Sequence, residues 1–345
     1  MRSRLLALLL ASTLSTLTPG ALGASRHTLV VLSHNDHTAY ELDPETGRIL
    51  QSFKAPEQPH EGVVSADGRT VFVAVPNGPI VAILDAASFK EIARIDTPLF
   101  TRTPRLAPNA PSTAKPSTSA SPHGVALTND GSKLYVGLEN ADVPGVVVYD
   151  VKSKKVLKKI DLLLEGGHYL AIQPGTDKLY YPHRNDNRVV VVDTKTDRIV
   201  KIIPVKGGPV GVAFAPNGEV WLHEDGDGSV TVVDSKSDEV KATIPTGGTG
   251  AGRIAVSPDG KFAASTHSGS GDVSLIDIAT RKVAATIPLG KGPGFPLFSP
   301  DSAKLYVMNS GEGDVAVVDV AAQKVSARHK VGVNPFGGAV RMTAP

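Results

Sequence analysis

Cysteine is absent from this chain of 345 residues. That excludes disulfides, iron–sulfur clusters, thiol catalysis, covalent c-type haem, a tryptophan–cysteine quinone and a lipid anchor on cysteine. Neither charge sign is in excess, with 36 Lys and Arg against 34 Asp and Glu. Binding of nucleic acid or an anionic membrane through bulk charge is therefore not expected. No apolar run approaches the ~20 residues needed to cross a bilayer. No Gly-x-Ser-x-Gly, His-Glu-x-x-His or comparable catalytic signature occurs. What the chain does hold is a hydrophobic content of 41%, enough for a packed core. It also has 34 Gly and 26 Pro at recurring intervals, which implies many turns.

The first residues read as a targeting segment. Arg2 and Arg4 precede a short apolar run from Leu5 to Leu17. Pro19-Gly20 breaks it, and Ala21-Leu22-Gly23 supplies the small residues a signal peptidase reads. Cleavage after Gly23 is expected, with residues 24–345 forming one exported domain, periplasmic or secreted, and monomeric.

That domain repeats. Strand-like segments end in Asp43, Asp85, Asp150, Asp193, Asp234, Asp277 and Asp319, at intervals of 41 to 43 residues except for one of 65. Around Asp277 four short strands are legible: Arg253 to Ser257, Phe262 to Ser265, Val273 to Ile276 and Val283 to Ile287. After each anchor comes a pattern close to Asp-x-x-Ser/Thr-x-Lys/Arg, although Ala322 replaces the hydroxyl residue after Asp319. An Asp side chain can accept backbone N–H groups two residues on, so the anchors are turn residues and not catalysts. Four-stranded units of this length build a β-propeller. The first unit opens directly at Thr28 to Leu32, and the C-terminal segment Asn334 to Val340 is a lone first-type strand. That segment can join blade one and close an all-β ring of seven blades, leaving no open edge.

The units Lys304-Leu305-Tyr306-Val307-Met308-Asn309 and Lys133-Leu134-Tyr135-Val136, the turn Ser257-Pro258-Asp259-Gly260 and the tail Val283 to Gly290 resemble YVTN-type β-propeller repeats. The resemblance covers essentially the whole chain after the targeting segment. It implies an exported bacterial or archaeal propeller. It does not select a function, because the family includes surface, binding and cofactor-carrying members.

The histidines are placed, not scattered. His60, His123 and His168 each lie seven residues before the Asp or Gly of a turn (Asp67, Asp130, Gly175), so they open the first strands of blades two, three and four. Val210, Gly252 and Gly294 hold that offset later in the chain. His183 and His267 lie ten residues before their anchor Asp, closing second strands, with Glu224 at that offset beside His223 and His34 one residue off it. First strands open, and second strands close, on one face of the disc. His34, His37, His60, His123, His168, His183, His223 and His267 are thus expected on that top face, and only His27 and His329 elsewhere. Imidazole is the commonest metal ligand, and a nitrogen–oxygen site without thiolates suits zinc or copper. The metal candidates are His60, His123, His168, His183, His223 and His267, with Glu61 and Glu224 as carboxylate partners.

Residues 99–121 are a Pro/Ser/Thr-rich insertion before His123, read as a mobile loop on the top face and a candidate lid. Trp221 reads as core. Gly247 to Gly252 is glycine-rich but precedes no helix, so it is not a phosphate or dinucleotide loop. Three functions compete: a metal-binding propeller; an enzyme of lyase, lactonase or oxidase type using the top funnel; and a scaffold for protein or polysaccharide with incidental histidines.

Overall fold

The computed structural model describes residues 27–343 apart from 56, 77–79, 97–100, 106–116, 120, 140–143, 163 and 165. The proposed targeting segment, residues 1–23, lies outside the described residues. Seven four-stranded antiparallel sheets account for all but two of the strands, and no helix occurs among the described residues. Blade two runs Glu61–Val64, Thr70–Val75, Ile80–Asp85 and Lys90–Asp96; blade three runs Ser121–Leu127, Lys133–Glu139, Gly145–Asp150 and Lys155–Asp161. Blades four to seven begin at Ala171–Ile172, Pro209–Phe214, Ile254–Val256 and Pro293–Phe298. Blade one is composite. His27–Ser33, Thr38–Leu42 and Ile49–Lys54 are completed by Pro335–Met342, which pairs antiparallel with His27–Ser33.

First strands of neighbouring blades touch one another around the axis, whereas outermost strands such as Arg198–Pro204 are exposed along most of their length. Middle strands are apolar on both faces because each blade is packed between two others. Tyr180, Val189 and Val191 of blade four face Val212, Val220 and Leu222 of blade five, and an equivalent apolar layer fills each of the other six interfaces. Lysine and tyrosine on second strands fasten the ring. Lys133 Nζ reaches Asp197 of the next blade at 3.0 Å and Tyr135 donates to the same carboxylate; Lys178 and Tyr180 repeat this on Asp238 at 2.8 and 3.0 Å.

The seven anchor aspartates are turn residues, as expected, and Asp43 and Asp234 accept the N–H two residues on, from Glu45 and Lys236, at 2.9 and 2.8 Å. Each accepts the N–H three residues on, from Thr46, Ser88, Ser153, Thr196, Ser237, Thr280 and Ala322, at 2.6–3.1 Å. The residue after that, from Gly47 to Gln323, has φ of 52° to 70° in every blade. A turn closed by a left-handed residue puts a bulge between third and fourth strands and brings the N–H three residues on within reach. Ala322 serves because the bond uses a backbone N–H, not a hydroxyl.

The insertion differs from expectation. Thr101–Arg105 pairs with Ser117–Ser119 as a two-stranded sheet, and the first strand of blade three already begins at Ser121. The middle of the insertion, residues 106–116, lies outside the described residues.

Candidate metal centre

Each blade offers one residue to the top of the axis where its first strand begins. Several of these strands enter through a bulge: register shifts occur between Pro122 and Val125, Pro209 and Gly211, and Pro293 and Pro296, and between Leu32 and Ser33 opposite Phe336. A bulge re-aims the side chain it carries. His123 sits in the first of these and turns toward the axis.

Four aromatic rings from consecutive blades then form an arc. Ring centroids lie 4.6 Å apart for Phe336 and His60, 4.0 Å for His60 and His123, and 4.1 Å for His123 and His168. His34 joins from the second-type strand of blade one, 4.8 Å from His60 and stacked on Phe336 at 4.7 Å. The remaining blades have Val210, Gly252 and Gly294 at that offset. Arg253 reaches the cluster from beside Gly252. Its Nη2 donates to His168 Nδ1 at 3.0 Å and lies 3.4 Å from Glu61 Oε1, and its guanidinium stands 5.7 Å from the Phe336 ring centroid. Blade six thus reaches across the axis to blades two, four and one.

Glu61 Oε1 is the focus. His123 Nδ1 lies 3.3 Å from it and His60 Nδ1 3.8 Å, and one ligand atom from each of the three residues fits within 4.8 Å of the others. Glu61 is 1% exposed, His123 3% and Arg253 4%. Five buried polar atoms here, His34 Nε2, His60 Nδ1, His123 Nδ1, Glu61 Oε2 and Arg253 Nε, make no hydrogen bond among the described residues. Orphaned polar atoms are uncommon in a packed interior. On the outer side, His123 Nε2 approaches Glu139 Oε2 at 3.7 Å. A cavity of about 310 Å³ opens there, lined by His34, Gln58, His60, Pro76, Ser121, His123 and Glu139.

Burial sets the protonation. Desolvation, with the His123 charge second, pushes His34 down to about 4. Burial, reinforced by His123 and Arg253, holds His60 and His168 well below the usual histidine value. Burial raises Glu61, but His123 and Arg253 together outweigh it and hold the carboxyl below its ordinary value. The cluster therefore presents His34, His60 and His168 as neutral imidazoles beside the Glu61 carboxylate.

The other three metal candidates stand apart from His60, His123 and His168. His183 is fully buried against the Tyr181 ring at 4.6 Å. His267 uses both ring nitrogens, Nδ1 with Asp272 at 3.0 Å and Nε2 with Thr246 at 3.0 Å. Its neighbour His223, 5.6 Å away between ring centroids, bonds Ser265 Oγ at 2.9 Å through Nδ1 and faces Asp225 at 3.5 Å through Nε2. Ser265 and His223 are 0% exposed, so this Ser–His–Asp set offers no nucleophile to a substrate. His27 and His329 lie elsewhere, on Tyr306 at 3.1 Å and the Pro44 carbonyl at 2.9 Å. Trp221 is core.

Sequence reasoning missed Arg253 and Phe336. Arg253 lies one residue past the informative offset, so the histidine rule does not select it. Phe336 belongs to the closing strand, outside the repeat count.

No protein-family profile and no curated protein matches the sequence. Solved structures do. The chain is a seven-bladed β-propeller. A hydrazine synthase structure from Kuenenia stuttgartiensis superposes with TM-score 0.68 at 21% identity, over 83% of this chain and 96% of that one. A functionally unknown protein from Desulfotomaculum acetoxidans gives 0.75 at 14%, over 93% and 100%. The dihydro-haem d1 dehydrogenase NirN, in complex with DHE, gives 0.62 at 17%, over 88% and 63%. These likenesses are of fold. Among the described residues no helix is long and apolar enough to cross a membrane.

Proposed function

We propose that this chain is an exported propeller of the YVTN type that binds one zinc or copper ion at the top of its axis, through His60, Glu61 and His123. The approach of His60 Nδ1 and His123 Nδ1 to the buried Glu61 carboxylate, at 3.8 and 3.3 Å, carries the reading. The donor set suits it: two imidazole nitrogens and a carboxylate oxygen match the borderline preference of zinc and copper. His168 supports the set by sharing Arg253, and Glu139 supports it from the outer side of His123. When bound, the ion would supply Lewis acidity at the floor of the 310 Å³ cavity. The residues around it would exclude bulk water and admit a small molecule. His183, His223 and His267 are then structural.

The test is metal content by mass spectrometry. The untagged protein is loaded with zinc or copper and dialysed beside a His60→Ala/His123→Ala variant. About one ion per chain, lost in the variant, is the expected result; no retained metal in the parent protein sinks the reading. A second reading is an enzyme of lyase, lactonase or oxidase type. One observation favours it: His123 stands between two carboxylates, Glu61 and Glu139, at the edge of a cavity. Turnover that survives complete metal removal would favour that reading over the first.

A further inference from the structure

The axial cluster contains a cation that metal binding does not require. Arg253 is 4% exposed and cannot swing into solvent from where it sits. Its Nη1 is tied to the Gly252 carbonyl at 3.0 Å, its Nη2 to His168, and its backbone N–H to Thr266 Oγ1 at 3.0 Å. In the chain as it stands, Arg253 and Glu61 balance each other, and the buried site carries no net fixed charge. A divalent ion on Glu61 Oε1 changes this. The same oxygen lies 3.4 Å from Arg253 Nη2, so the ion and the guanidinium must share one carboxylate. Two positive charges are left over. Glu139, 3.7 Å from His123 Nε2 and partly exposed, can offset one. The other remains, beside a cavity of about 310 Å³ whose walls include His60 and His123. Uncompensated charge in a largely buried site is unfavourable, so the site favours a negative ligand from the cavity.

We infer that Arg253 makes the axial site anion-dependent: zinc or copper held by His60, Glu61 and His123 takes a small monocarboxylate from the cavity as its further ligand. This rests on the metal reading above. A monoanion matches the one remaining charge. Carboxylate oxygen matches the ligand preference of both ions, and the cavity has room for a few heavy atoms beyond the carboxylate. Arg253 is a specificity residue in this scheme. It sets the sign of the ligand by its charge, whether or not it touches it.

Zinc affinity should be measured at fixed pH and ionic strength, with free zinc held by a chelating buffer, in sodium acetate and in sodium perchlorate. About tenfold tighter zinc binding in acetate is expected, and zinc should tighten acetate binding by the same factor, because linkage is reciprocal. Arg253→Lys keeps the charge and should keep the acetate effect. Arg253→Met should bind zinc more tightly in perchlorate than the parent does and should ignore acetate. Zinc retained equally in both salts overturns this inference and leaves the metal reading standing. Zinc retained in neither overturns both. An acetate effect that persists in Arg253→Met overturns the role of Arg253. If Arg253→Met does not fold, the parent and Arg253→Lys still decide the anion dependence.

Discussion

At the residue scale, the environment of each titratable group separates site from scaffold. Glu224 holds the sequence offset shared by His183 and His267, yet its chemistry is that of a buried acid. Desolvation lifts its carboxyl from 4.5 to about 7, with Gly207 N–H donating to Oε2 at 2.8 Å and Oε1 left without a partner. A carboxyl raised in the fold favours folding below its unfolded value and loses that contribution as pH climbs through the folded one. Glu224→Gln should therefore stabilise the fold at pH 8 by on the order of 2–3 kcal/mol, read as a higher melting temperature, and change it little at pH 4. Thermal unfolding of both proteins at the two pH values checks this. The offsets that singled out His60, His123 and His168 were legible because three neighbouring blades repeat them. The same rule could not tell that His267 already has both nitrogens bonded. Asp272, five residues on, and Thr246, from the preceding blade, take those positions, and neither is marked by the repeat.

At the element scale, the bulges at first-strand entrances decide which side chains reach the axis. Gly124 follows His123 inside one of them, and a β-carbon there would lie 2.8 Å from both the His168 carbonyl oxygen and the Leu170 nitrogen. Both are backbone atoms and cannot yield cheaply. Gly124→Ala should destabilise the fold by ~1–3 kcal/mol. It should also push blade three away from blade four and weaken metal retention more than the stability loss alone accounts for. Urea denaturation beside a metal-retention assay separates the two effects. The four strands around Asp277 lie within about two residues of their sequence-based bounds, since alternation and turn residues locate strands well. The pairing of Thr101–Arg105 with Ser117–Ser119 was not legible, because a Pro/Ser/Thr-rich composition carries no apolar period from which to read a strand.

At the scale of the molecule, seven anchors at one spacing counted the blades, and the unmatched first strand at the C-terminal end indicated how the ring closes. That closure joins His27–Ser33 to Pro335–Met342 through paired backbone from His27 to Ser33. Ending the chain at residue 334 should remove more than about 4 kcal/mol, because an inner strand is lost and two blades gain an open flank. A broad, non-cooperative urea transition is expected, and a sharp transition at the parent midpoint would contradict a closed ring.

The closing strand also carries Phe336, whose ring stacks with His34 and lies against His60. Synthesis runs from the N-terminus, so the arc at the axis is finished only after every other strand of the ring has been made. Until they arrive, His34 and His60 lack their aromatic wall and the inner edge of blade one has no partner. Ligand competence and topological completion thus coincide in time. On the proposed metal reading, a nascent or clipped chain would hold most of the donor atoms before the enclosure around them is complete.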